Sequence, residues 1–105
     1  MHIYGLKNCD TCRKAVKALP QAAFTDVRAD GLSPDLLARF HAEFGEALVN
    51  KRSTTWRGLD DAARAQDPLV LLAAHPTLMK RPVIEDDGAL YLGWGKDVQA
   101  ALLGE

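Results

Sequence analysis

Cysteine is scarce in this chain: 105 residues hold two, Cys9 and Cys12, with only Asp10 and Thr11 between them. A bridge that short would constrain almost none of the unfolded chain, which excludes a stapling disulfide framework. In a reducing compartment such a pair is chemical more often than structural. Long apolar runs are missing too. No stretch approaches the ~20 residues of a membrane span, and the start MHIYGLKNCD lacks the basic head and apolar tract of a secretory signal, so the cytoplasm is the expected compartment. Nor is one sign of charge in excess. Thirteen Lys plus Arg oppose fourteen Asp plus Glu, and a net charge of -1 gives no global reason to bind nucleic acid or a membrane, so any attraction is local. Low-complexity tracts, internal repeats and linkers are likewise missing. What remains, 48 % hydrophobic and 26 % charged residues, fits one folded domain around one core.

Residues 2 to 6, HIYGL, are β-prone and end at Lys7 and Asn8, and residues 10 to 19 follow helical spacing. Val16 and Leu19, with Cys12 and Ala15 beside them, form the expected apolar stripe of that helix, while Arg13, Lys14 and Lys17 fall on its other side. Pro20 marks its end. A strand is expected from Phe24 to Ala29, followed by the turn Asp30-Gly31. Ser33-Pro34 starts a helix over 34–44 that Gly45 closes, with Leu36, Leu37, Phe40 and Phe44 as its buried face. The stretch NKRSTTWR, residues 50 to 57, reads as a loop leading into a short helix. Asp67-Pro68 then opens LVLLAAH, closed at His75-Pro76. Val83-Ile84, an acidic turn from Glu85 to Gly88, and ALYL at 89–92 read as a hairpin, and a last helix spans about 96–103. The order βαβα, helical stretch, ββα predicts an α/β fold with one mixed sheet covered by helices.

A C-x-x-C that opens a helix directly after a strand sets its first thiol beside free backbone N–H groups and the positive end of the helix dipole, both of which favour the thiolate. Lys7 and Arg13 stand near in sequence as further positive charge. One helical turn separates the sulfurs, so Cys12 can attack a mixed disulfide at Cys9. Two other readings stay open. Cys12 on an apolar stripe also suits a small buried hydrophobe, and a lone C-x-x-C is half a zinc site, although no second pair exists and His2, His41 and His75 lack ligand spacing. Tyr4 and Trp56 read as core or pocket-wall aromatics.

The segments YGLKNCDTCRKA, NKRSTTWR and MKRPV, in that order and at those separations, resemble the arsenate reductase (ArsC)/Spx/YffB family, with the YffB branch most similar. The likeness covers nearly the whole chain. It implies a thioredoxin-like mixed sheet in a single domain, with a helical insertion at about residues 32–78. In the arsenate reductases of that family the cysteine matching Cys9 attacks arsenate, and arginines surround the oxyanion. Arg81 matches the arginine of the RP segment, and Arg52, with Arg57 nearby, matches the insertion arginine. The fixed guanidinium fork suits an oxyanion or carboxylate. A plain solvated loop is the other reading of Arg52 and Arg57. The third arginine is missing, since Leu92 to Lys96 offers only Lys96 as a cation. The likeness also implies that Arg81-Pro82 is cis, whereas a strand-starting proline alone would be an edge or turn residue.

Taken together, these features give a thiol–disulfide oxidoreductase with Cys9 as nucleophile and Cys12 as resolving thiol. Lys7, Asn8, Arg52, Arg57, Arg81 and Pro82 are its expected substrate- or anion-binding residues. No tightly bound cofactor or metal is expected; glutathione is the implied co-substrate, or else a protein thiol or disulfide, and a monomer is expected. The alternatives are an Spx-like redox-sensing regulator that binds the RNA polymerase α-subunit, and an arsenate reductase proper.

Overall fold

The computed structural model describes residues 1–104. The chain divides into two compact units, one made of Met1–Asp26 with the chain from Arg81 onward, the other of Val27–Lys80.

The first unit is built on a four-stranded mixed sheet. β1 (His2–Gly5) lies between β2 (Ala23–Asp26) and β3 (Val83–Asp86), with β4 (Ala89–Leu92) outside β3. β1 and β2 are parallel because α1 (Asp10–Ala18) carries the chain back between them, and the other pairs are antiparallel. The register sets Phe24, Ile3, Ile84 and Tyr91 side by side across the sheet. Against that row pack Ala15 of α1, Leu19 at its C-cap and Val98 of α6 (Lys96–Leu103), forming the core of the unit. On the opposite face His2 stacks on Tyr4 with ring centroids 4.2 Å apart, and His2 Nε2 lies 2.6 Å from Thr25 Oγ1. Tyr4 is buried, the core alternative of the two read for it.

β2 stops at Asp26, short of the expected Ala29. Its ladder runs out where β1 does, at the pair Gly5–Asp26, and the Asp26 carboxylate then accepts the Lys7 amide at 3.1 Å. The hairpin turn is tighter than expected, because β3 continues through Asp86 and only Asp87 and Gly88 turn, with φ of 51° and 83°. Two positive φ values match the twist of a two-residue hairpin, and Asp-Gly accommodates them. α1 also departs from its expected stripe. Cys12, Ala15 and Leu19 face the sheet, whereas Val16 stands 37 % exposed. Positions 12, 15 and 19 span an arc of about 60° on a 3.6-residue helix, and Val16 lies at its edge, about 40° past Cys12 on the side away from Ala15.

The second unit contains α2 (Pro34–Phe44), α3 (Thr54–Arg57), α4 (Asp61–Arg64) and α5 (Pro68–Ala74), with 3-10 turns at Gly45–Leu48 and Pro76–Leu78. Each helix starts on a capping side chain: Ser33, Ser53, Asp60 and Asp67 accept the amides of Leu36, Trp56, Ala63 and Leu69. The expected loop over 50–57 is therefore helical from Thr54, because Ser53 caps it. Leu37 and Phe40 of α2 are buried with Leu48, Leu71, Leu72 and Leu78, while Leu36 and Phe44 are only half-buried. No helix among the described residues is long and apolar enough to cross a membrane.

One glycine in the first unit is required sterically. A Cβ at Gly5 would lie 2.5 Å from Cys12 Sγ, closer than van der Waals contact permits. Gly5→Ala is expected to cost about 1–3 kcal/mol by overpacking, read as a lowered urea midpoint. Adding Cys12→Ala should recover most of that loss; an unchanged midpoint in Gly5→Ala alone would refute the close approach.

Candidate active site

The site grows from the turn between β1 and α1. The Cys9 amide donates to Leu6 O at 3.2 Å, which closes the turn, and Cys9 becomes the N-cap of α1 with extended backbone at φ -93°, ψ 122°. Its carbonyl accepts the Arg13 amide at 2.9 Å, the first bond of the helix. The Cys9 side chain is partly exposed, and Cys12, one turn on, is 1 % exposed against Gly5.

Burial raises the Cys9 pKa, but the Cys12 amide and thiol and the guanidinium of Arg81 outweigh it and hold the Cys9 pKa below the ordinary 9.0. No side-chain hydrogen bond of full geometry caps α1; the Cys12 amide acts as an oriented dipole at the helix start. The neighbouring thiol behaves oppositely. Burial, reinforced by the Cys9 sulfur, pushes Cys12 up to about 11, against the lowering effects of the Leu6 amide and Arg81. The pair is thus one favoured thiolate above one retained thiol.

The cation bearing on Cys9 is Arg81, not the sequence neighbours Lys7 and Arg13. Arg13 is committed elsewhere: its Nε donates to Lys7 O at 2.9 Å and its guanidinium lies 3.7 Å from the Asp10 carboxylate. Lys7 and Asn8 are exposed on the turn. Arg81-Pro82 is cis and Pro82 is buried; Arg81 lies two residues before β3, the strand that pairs with the β1 strand leading to Cys9.

Arg52 and Arg57 belong to the other unit. Arg52 is exposed, with its amide donating to Asn50 Oδ1 at 3.0 Å, and it lines a wide depression with Lys51 and Lys80. Arg57 ends α3, and its carbonyl accepts from Arg64 Nη2 at 3.3 Å. Trp56 is half-buried, with Lys51 and Arg64 at 5.7 and 5.5 Å from its ring centroids. Arg64 carries no sequence signal, since no motif marks it, although its guanidinium also holds Trp56 O at 3.1 Å. Lys80 is equally hidden, as an ordinary cation before the RP pair. Among the described residues no group of three or more His, Cys, Asp or Glu is placed to hold a metal ion.

The model of the ArsC family matches residues 4–102. The chain belongs to the ArsC family. An uncharacterized protein of Haemophilus influenzae is 44 % identical, over 94 % of this chain and 96 % of its own. The global transcriptional regulator Spx of Bacillus subtilis is 26 % identical, over 90 % of this chain and 80 % of its own. The solved structure of a YffB protein superposes with a TM-score of 0.86 at 36 % identity, covering 95 % of this chain and 96 % of that one. The thioredoxin-like mixed sheet with helices is therefore the fold of a recognised family, one of thiol-based chemistry.

Because only the thiolate alkylates, Cys9 should react with iodoacetamide along a titration curve centred below 9.0, with Cys12 silent in the folded chain. Arg81→Gln should move that curve upward. The depressed Cys9 pKa also contributes stability that is fully present above pH 9.0 and is lost as pH falls through the folded value; Cys9→Ala removes this slope from the pH profile of unfolding. A Cys9 curve at the free-cysteine position would count against an activated nucleophile.

Proposed function

We propose that this ArsC-family chain is a glutathione-linked thiol–disulfide oxidoreductase in which Cys9 is the nucleophile and Cys12 the resolving thiol. The supporting observation is the asymmetry of the pair, an accessible sulfur favoured as anion at the helix start and a buried one kept protonated beneath it.

In the first step the Cys9 thiolate attacks one sulfur of an oxidised partner such as a glutathionylated thiol. The Cys9–S bond forms, the partner S–S bond breaks, and the departing thiolate takes a proton from water. In the second step Cys12 loses its proton and attacks Cys9 Sγ, releasing the partner thiol held there and leaving a Cys9–Cys12 disulfide, which two glutathione thiols reduce to give oxidised glutathione. The raised pKa of Cys12 owes part of its height to the Cys9 sulfur. That part vanishes once Cys9 is neutral in the mixed disulfide, so Cys12 becomes easier to ionise when it is needed. Arg81, with Lys7 and Asn8, serves the anionic portion of the partner, and Arg52 and Arg57 keep the anion-binding role that the family likeness implies, on the surface of unit 27–80.

Arsenate reduction is less well supported, since the segment Leu92–Lys96 carries Lys96 where a third arginine is required. The regulator reading draws on the 26 % identity to Spx and on the C-x-x-C. Retention of purified RNA polymerase α-subunit, in either redox state, would favour it.

After exposure to oxidised glutathione, intact-mass analysis should find wild-type protein lighter by two hydrogens, Cys12→Ser carrying one glutathione, and Cys9→Ser unmodified. An adduct at neither cysteine, or equal adducts in Cys9→Ser, overturns the proposed cycle.

A further inference from the structure

Val16 is a large aliphatic residue that the fold leaves exposed, and it does not stand alone. It lines a groove of about 320 Å³ in the first unit, whose apolar walls are Leu6, Cys12, Val16 and Phe24 and whose rim carries Lys7, Arg13 and Lys17. The volume falls within the ~300–1,000 Å³ of ligand sites, and no acidic side chain lines it. The rim is partly fixed, because Arg13 Nε is tied to Lys7 O at 2.9 Å. Asp10 lies 3.7 Å from the Arg13 guanidinium and Asp26 accepts the Lys7 amide, but neither lines the groove, whose charged lining residues are Lys7, Arg13 and Lys17. The groove lies on the β2 side of α1, and β2 is an outer strand of the sheet; Arg81-Pro82 enters on the β3 side of β1.

We propose that this groove is a substrate subsite that takes a large apolar side chain flanked by acidic residues, on the protein segment whose cysteine exchanges with Cys9. The proposal rests on the reading of Cys9 as the attacking thiolate. Three features support this occupant. Cys12 contributes to the groove wall, so the groove begins within one helical turn of Cys9, and an extended segment joined to Cys9 reaches ~7–10 Å in two or three residues. The walls are hydrocarbon and one thiol, which glutathione, with no large apolar side chain, would leave bare. The two lysines of the rim, Lys7 and Lys17, are complementary to Asp or Glu on either side of the inserted residue, and charge of that kind chooses among partners more than it adds affinity. The subsite thus selects protein disulfides over glutathione disulfide itself.

Peptide mixed disulfides with a small thiol test this. One peptide places a leucine two residues from its cysteine between glutamates, a second replaces the leucine by serine, and a third replaces the glutamates by lysines. Initial rates of peptide-thiol release at subsaturating concentration are compared within each enzyme, with bis(2-hydroxyethyl) disulfide as a substrate too small to reach the groove. Burying a leucine-sized side chain predicts that wild type favours the first peptide over the second by roughly tenfold or more. It should favour the first over the third by several-fold, and this margin should shrink as salt rises. Val16→Asp should remove the leucine preference, and Lys17→Glu should narrow or invert the glutamate-over-lysine ratio.

Equal rates for all three peptides, with bis(2-hydroxyethyl) disulfide still turned over, overturn the subsite and leave the Cys9 reading standing. No exchange with any disulfide overturns both. Two further outcomes overturn the peptide subsite by giving the groove another occupant: competition by dodecanoate without any peptide preference, and self-association that Val16→Asp abolishes.

Discussion

The chemistry of this protein depends on how abruptly β1 becomes α1. Four residues separate the last strand residue, Gly5, from the first helical one, Asp10, and in that space the chain turns so that Cys9 caps the helix. The turn is possible because Gly5 has no side chain; Cys12 Sγ occupies the space a Cβ would need. That single packing contact couples the end of the strand to the first turn of the helix. It buries Cys12 and at the same time leaves Cys9 at the surface.

From this placement the opposite behaviours of two identical thiols follow. Both suffer burial, which favours the neutral form. Cys9 sits in front of the helix, where the Cys12 amide and the Arg81 guanidinium act on its sulfur, and its pKa falls below that of a free cysteine. Cys12 sits within the first turn, where the Leu6 amide and Arg81 offset burial only partly and the Cys9 sulfur adds repulsion. A pair at i and i+3 of a continuous helix would have lacked this difference, since both would be spanned by intrahelical bonds.

Features encoded by residues adjacent along the chain are legible in the sequence itself. Ser33-Pro34 and Asp67-Pro68 open helices as capping chemistry requires, Asp87-Gly88 turns the hairpin, and the C-x-x-C lies at a strand-to-helix passage. What the sequence hides depends on distant parts of the chain. Lys7 and Arg13 are the natural electrostatic partners of Cys9 by chain distance, yet Arg81 takes that role through the pairing of β1 with β3. The length of β2 depends on where its partner strand ends, which no local alternation records. Val16 fits a helical stripe by residue type, but the sheet accepts only the arc of Cys12, Ala15 and Leu19. Ser53 is the opposite case, a local cap with the same chemistry as Ser33 and a legible signal masked by the polar residues around it.

The charge balance shows the same division between composition and placement. A net charge of -1 gives the chain no long-range field to attract an acidic partner. Folding sorts the charges nevertheless. Lys7, Arg13 and Lys17 gather at one groove, while Asp10 and Asp26, the acids nearest them, are drawn into the turn that shapes the site, one against the Arg13 guanidinium and the other against the Lys7 amide. Asp10 offsets Arg13, and neither acid is among the residues that line the groove. At physiological ionic strength charges are screened beyond ~8 Å, so a partner responds to this local set rather than to the total. A near-neutral protein can in this way gather cations close to its reactive sulfur.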